Sequence, residues 1–69
     1  MIEVFKTTVK KKKIADLIVK QIENELQNAA VNFDLADCDR ILRINCKDFD
    51  LEKVEEIIKN HGFEVSRLA

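Results

Sequence analysis

The sequence predicts an α+β fold in which a four-stranded antiparallel sheet carries two helices on one face. Three observations predict it. Along the chain the hydrophobic period switches between two residues and about 3.6 residues, in the order strand, helix, strand, strand, helix, strand. The segments between these stretches are short and hold turn or capping residues. The chain has 69 residues, and a chain near this size buries only about 60% of its unfolded surface, enough for one modest core and no second one. Residues 1–69 therefore read as a single domain.

Each element follows from its local pattern. Ile2 to Thr8 combines β-branched and aromatic residues and stops at a lysine run, which suits a first strand with Phe5 pointing into the core. From about Lys11 to Gln27, Ile14, Leu17, Ile18, Ile22 and Leu26 recur at three- and four-residue steps, with Asp16, Lys20, Glu23 and Glu25 between them. That spacing predicts an amphipathic helix with one buried stripe. Val31, Phe33 and Leu35 alternate with Asn32, Asp34 and Ala36, and Leu42, Ile44 and Cys46 alternate with Ile41, Arg43 and Asn45. Between them Asp37, Cys38 and Asp39 supply a polar turn, so the two runs read as a hairpin. Asp50 is placed to cap a second helix through its carboxylate, and Phe49 before it to staple onto Val54. Val54, Ile57, Ile58 and His61 continue at helical spacing, Gly62 suits the left-handed residue that ends a helix, and Phe63 and Val65 begin the last strand.

Right-handed crossovers close this order as a ferredoxin-like βαββαβ sandwich with strand order 4-1-3-2. One end of that fold gathers the loop after the first strand, the hairpin turn and the turn before the last strand. Lys10 to Lys13, Cys38 and His61 to Gly62 are expected together at that end.

Composition removes several function classes. A single glycine cannot build a P-loop, a dinucleotide fingerprint or a glycine clamp for nucleic acid. Two cysteines and one histidine fall short of a zinc site made of Cys and His alone. With no Trp or Tyr and four Phe, base-stacking pairs are lacking, and the net charge of −1 argues further against nucleic acid. No apolar run approaches the roughly 20 residues of a membrane helix and no signal peptide is evident, so the chain reads as cytoplasmic, without membrane insertion.

The chemistry-bearing residues are few. Cys46 shares the inward parity of Leu42 and Ile44 and reads as a small core hydrophobe. Cys38 reads as an exposed turn thiol; with Asp37 and Asp39 it offers a weak alternative metal site, and an intermolecular bond through it remains open. An internal Cys38–Cys46 disulfide would have to span an extended strand, whereas the linkage needs Cα atoms within about 7 Å. His61 suits the C-terminal end of a helix, where the dipole favours a cation. Across the sheet from Cys38 it has no nucleophile, and Ser66 lacks an orienting acid, so the chain reads as non-enzymatic, with no catalytic residue. Lys10, Lys11, Lys12 and Lys13 stand where a helix start prefers acids. Lysine runs are commonly solvated, yet ammonium groups beside free helix amides suit a small anion or an acidic protein surface.

The stretch Val54-Glu55-Glu56-Ile57-Ile58-Lys59-Asn60-His61-Gly62-Phe63-Glu64-Val65 is similar to the second helix, Gly-Tyr or Gly-Phe turn and last strand of heavy-metal-associated domains. That family is the module of copper chaperones and of copper-transporting P-type ATPase extensions. With weaker similarity through the first helix and hairpin, nearly the whole chain resembles it. The resemblance implies the ferredoxin-like fold and, in family members, Cu(I) or at times Zn(II) held by a Met-x-Cys-x-x-Cys loop. Matching Phe5 to the family's apolar strand residue and Leu17 to its first buried helix residue places the motif on Thr8-Val9-Lys10-Lys11-Lys12-Lys13. Both cysteine positions are then lysines, Lys10 and Lys13, and soft metals select thiolates over ammonium groups. The expectation is a monomer or weak dimer that has kept the fold and lost the metal site, so that no cofactor is needed. The alternative is a carrier of Cu(I) or Zn(II) that uses Cys38 or a dimeric site.

Overall fold

A computed structural model describes residues 2–68. It contains strand β1 (Ile2–Thr7), helix α1 (Lys12–Glu25), strands β2 (Ala30–Asp34) and β3 (Ile41–Asn45), helix α2 (Leu51–Asn60) and strand β4 (Val65–Leu68). The sheet runs β2-β3-β1-β4, the 4-1-3-2 order read from the other edge, and every pairing is antiparallel. The α+β, ferredoxin-like expectation is met.

The register sets one apolar face against the helices. Leu42 lies between Phe33 and Phe5, and Ile44 between Val31 and Glu3. Against this face α1 buries Ala15, Ile18 and Ile22, and α2 buries Val54, Ile57 and Ile58. Cys46, just past β3, is buried in the same core, as its parity predicts. Cys38 is exposed and both thiols are free.

Three local expectations need correction. Leu17 is 51% exposed, while Ala15 takes the buried position. At 100° per residue Ala15, Ile18 and Ile22 fit in an arc of roughly 60°, and Leu17 falls about 100° outside it. A leucine outweighs an alanine in a hydrophobicity count, but the angle decides which of them meets the sheet. Ile41 has the parity of the outer face yet is only 5% exposed; it sits on a central strand between Lys6 and Asp34, where the aliphatic stem of a long neighbour can cover it. Finally, α1 stops at Glu25 and β2 at Asp34, so Gln27 and Leu35 belong to connections.

The two helix ends of α2 follow their sequence signals. Asp50 Oδ1 accepts from the Glu52 N–H at 2.9 Å, and Phe49 packs against the core that holds Val54. At the other end Gly62 takes φ +88°. Its N–H donates to the Lys59 carbonyl and that of Phe63 to the Ile58 carbonyl, a Schellman arrangement that folds the chain back over the helix.

Candidate functional site

The end predicted to gather three loops does so through hydrogen bonds from two threonines. The Thr7 N–H donates to the Asp39 carbonyl at 3.2 Å, and the Thr7 hydroxyl to the Arg40 carbonyl at 2.8 Å. That buried hydroxyl also accepts from the Val9 N–H, which bends the chain away from β1. Thr8 exchanges two bonds with Glu64: its N–H donates to the Glu64 carbonyl, and its hydroxyl accepts from the Glu64 N–H at 2.9 Å. The hairpin loop is tied to one side of the lysine segment and the α2–β4 turn to the other. In the sequence Thr7 and Thr8 carry only a strand-forming signal; their partners are 33 and 56 residues away, which no local pattern could disclose.

All four lysines, Lys10, Lys11, Lys12 and Lys13, are exposed. Lys11 is the N-cap of α1 and provides no capping side chain, the first turn contains no acid, and the first helical bond is from the Ala15 N–H to the Lys11 carbonyl. Among the described residues, ion pairs form at Lys6–Asp39, Lys53–Glu25 and Arg67–Glu55, none of them at this run. Beside the lysines is a groove of about 370 Å³ lined by Thr8, Lys10, Lys11, Ile14 and Phe63. Its walls are half-buried Ile14 at the start of α1 and half-buried Phe63 just after Gly62. Phe63 is there because the Gly62 turn throws it back onto the helix end.

The remaining candidates stand on the two neighbouring loops. Among the described residues, the metal-ligand side chains that come together are Asp37, Cys38 and Asp39, whose donor atoms lie within 4.8 Å of one another. Both carboxylates already have partners: Asp37 Oδ1 accepts from the Asp39 N–H at 2.8 Å, and Asp39 Oδ1 lies 3.5 Å from Lys6 Nζ. His61 is outside this group; its Nε2 is 2.9 Å from Gln21 Oε1 on α1, and its backbone N–H caps α2. The lysine segment itself contains no cysteine: Cys38 stands on the neighbouring hairpin loop, and Cys46 lies past β3, whose Asn45 pairs with Ile2 at the opposite end of β1. Its donor set does not fit Cu(I).

No protein-family model matches the chain, and no curated protein matches it. At this end the molecule presents a cationic rim, an apolar groove and first-turn helix amides with no capping side chain.

On the far edge of the sheet, Arg67 makes two hydrogen bonds to Glu55, at 3.1 and 2.9 Å. That hydrogen bonding, opposed by desolvation and helped by the charges of Glu55, Glu52 and Glu3, raises the guanidinium's pKa above its ordinary value. The pair ties β4 to α2 and leaves Arg67 out of the basic end.

Proposed function

We propose that this protein is a cytoplasmic, non-enzymatic binding protein of the heavy-metal-associated type that has lost the Cu(I) loop, and that Lys10, Lys11, Lys12 and Lys13 bind a small anion or an acidic protein surface. The observation that carries this reading is a helix start with four exposed lysines, no cap side chain and no acid in its first turn. Placing cations there costs about 0.3–1 kcal/mol per charge before screening. A bound anion reverses the sign of that cost, because it meets both the ammonium groups and the free amides.

A further observation favours a protein or small anion over nucleic acid. Phe5 is buried, and Phe33, Phe49 and Phe63 pack against the core, so none of the four Phe offers the exposed stacking surface that RNA-binding sheets use. Resemblance to the heavy-metal-associated family supports the binding-module class, with one change of register. If the family's buried helix residue is matched to buried Ile18 instead of exposed Leu17, its cysteine positions move one residue on, to Lys11 and Ile14. Neither is a soft-metal ligand.

The test is a titration of labelled protein with inorganic phosphate, followed by backbone amide shifts. Saturable shifts from Thr8 to Ile14, abolished by Lys10→Ser with Lys13→Ser, are expected; shifts unchanged by that double substitution would count against the reading. A second reading, a metal carrier acting through Cys38 alone or in a dimer, draws on the clustering of Asp37, Cys38 and Asp39. Titrating the reduced protein with Cu(I) and Zn(II) against a competing chelator decides it, and binding no tighter than micromolar would sink the carrier.

A further inference from the structure

We infer that the basic end recognises an acidic peptide segment carrying one apolar anchor residue, which seats between Ile14 and Phe63 while the flanking carboxylates meet Lys10 to Lys13; the inference rests on the anionic-partner reading above. The lysines select the charge of the partner. The groove selects its shape.

Three features argue for an anchor. The groove has about 370 Å³ and is lined by Ile14 and Phe63 with Thr8, Lys10 and Lys11 around them. That volume is at the low end of the range of about 300–1,000 Å³ found for ligand pockets, which suits a side chain better than a cofactor. Inorganic phosphate alone would leave this apolar lining unused, since a fully hydrated anion gains nothing from Ile14 and Phe63. Lastly, the Thr8 hydroxyl accepts from the Glu64 N–H, so its own proton is left to donate to a carboxylate or peptide carbonyl at the groove's edge. An apolar anchor in a pocket surrounded by polar contacts is the usual distribution of energy at protein interfaces.

The same surface suits an anionic membrane less well. Membrane-binding helices press a continuous apolar face into the headgroup region. Here Ile14 and Phe63 are half-buried walls of a concavity, and Leu17 is the one strongly exposed large apolar side chain on α1. A partner that enters the groove fits this shape better than a flat surface does.

Two synthetic peptides test the inference: one with a central leucine flanked on both sides by alternating Glu and Asp, the other with serine in place of that leucine. Amide shifts of the full chain are followed with each, beside parallel runs with inorganic phosphate and with phosphatidylserine–phosphatidylcholine vesicles. The leucine peptide should bind about ten-fold more tightly than the serine peptide, as expected for one well-seated anchor. Its leucine methyls should show nuclear Overhauser contacts to the Phe63 ring, a readout that needs no variant. Lys10→Ser with Lys11→Ser should weaken both peptides, and Phe63→Ala, if its amide spectrum remains dispersed, should remove the preference for leucine. Equal affinity for the two peptides would overturn the anchor while leaving the basic-surface reading in place. Stronger binding to vesicles than to the leucine peptide would overturn it in favour of a membrane. No binding of either peptide or of phosphate would overturn both readings together.

Discussion

The two helices of this protein begin in opposite ways. At the start of α2, Asp50 caps the Glu52 amide, Glu52 itself sits in the first turn, and Lys59 occupies the last turn. At the start of α1 the N-cap is Lys11, which makes no capping bond; no acid follows in the first turn and no base stands in the last. The first arrangement opposes the helix dipole with matching charge at both ends, and the second adds positive charge to the positive end. Both helices bury three residues in the same core, so packing does not account for the difference. Local charge at α2 serves folding, while at α1 it works against folding and faces an open groove. A local stability cost at one exposed surface is a common mark of a binding site.

The contrast would lose its meaning if α1 were only loosely attached, and the largest predicted effect checks this. Ile18→Ala should cost about 2–5 kcal/mol in urea unfolding, because Ile18 is fully buried. Leu17→Ala beside it should change stability by about 0.5 kcal/mol or less, as for an exposed position. Similar losses at both would mean that α1 packs through a different face. Next in size is the α2 cap: Asp50→Ala should cost about 1 kcal/mol by the loss of its bond to Glu52. The mirror experiment at α1 has the opposite sign, with Lys11→Asp expected to stabilise by about 1 kcal/mol, supplying the missing cap and removing a like charge. The smallest effect is that of salt. Near 1 M the Debye length falls to about 3 Å, so the charge part of the Lys11→Asp gain should fade while the Asp50→Ala loss changes little.

Much of the fold was legible in the sequence, because the signals that define it are local. Phe5, Ile18, Ile22, Leu42, Ile44, Val54 and Ile58 all keep the period of their element and all are buried. Asp50 and Gly62 act at the helix ends where their side-chain chemistry and backbone freedom suggest. Where reading failed, a small residue outcompeted a large one: Ala15 lies on the buried arc of α1, and Leu17 does not. The candidate site was legible only in part. The lysine run is visible as sequence, and the topology brings it to the end shared with the hairpin loop and the α2–β4 turn. Its groove is not visible, since the groove exists only where the Gly62 turn sets Phe63 opposite Ile14. The bonds of Thr7 and Thr8 that hold the three loops in place are equally non-local.

One thermal-unfolding experiment at low salt tests the central claim that stability at the start of α1 is given up for an anionic partner. The natural chain and a variant with Lys10, Lys11, Lys12 and Lys13 all changed to Ser are melted with and without the acidic leucine peptide. Without peptide the variant should melt higher, since each kcal/mol regained is worth about 4–8 °C in a domain of this size. With peptide at about 100 times its Kd the natural chain should gain about 2.7 kcal/mol, while the variant should not respond. A variant that melts no higher than the natural chain, or that gains as much from the peptide, would contradict the account.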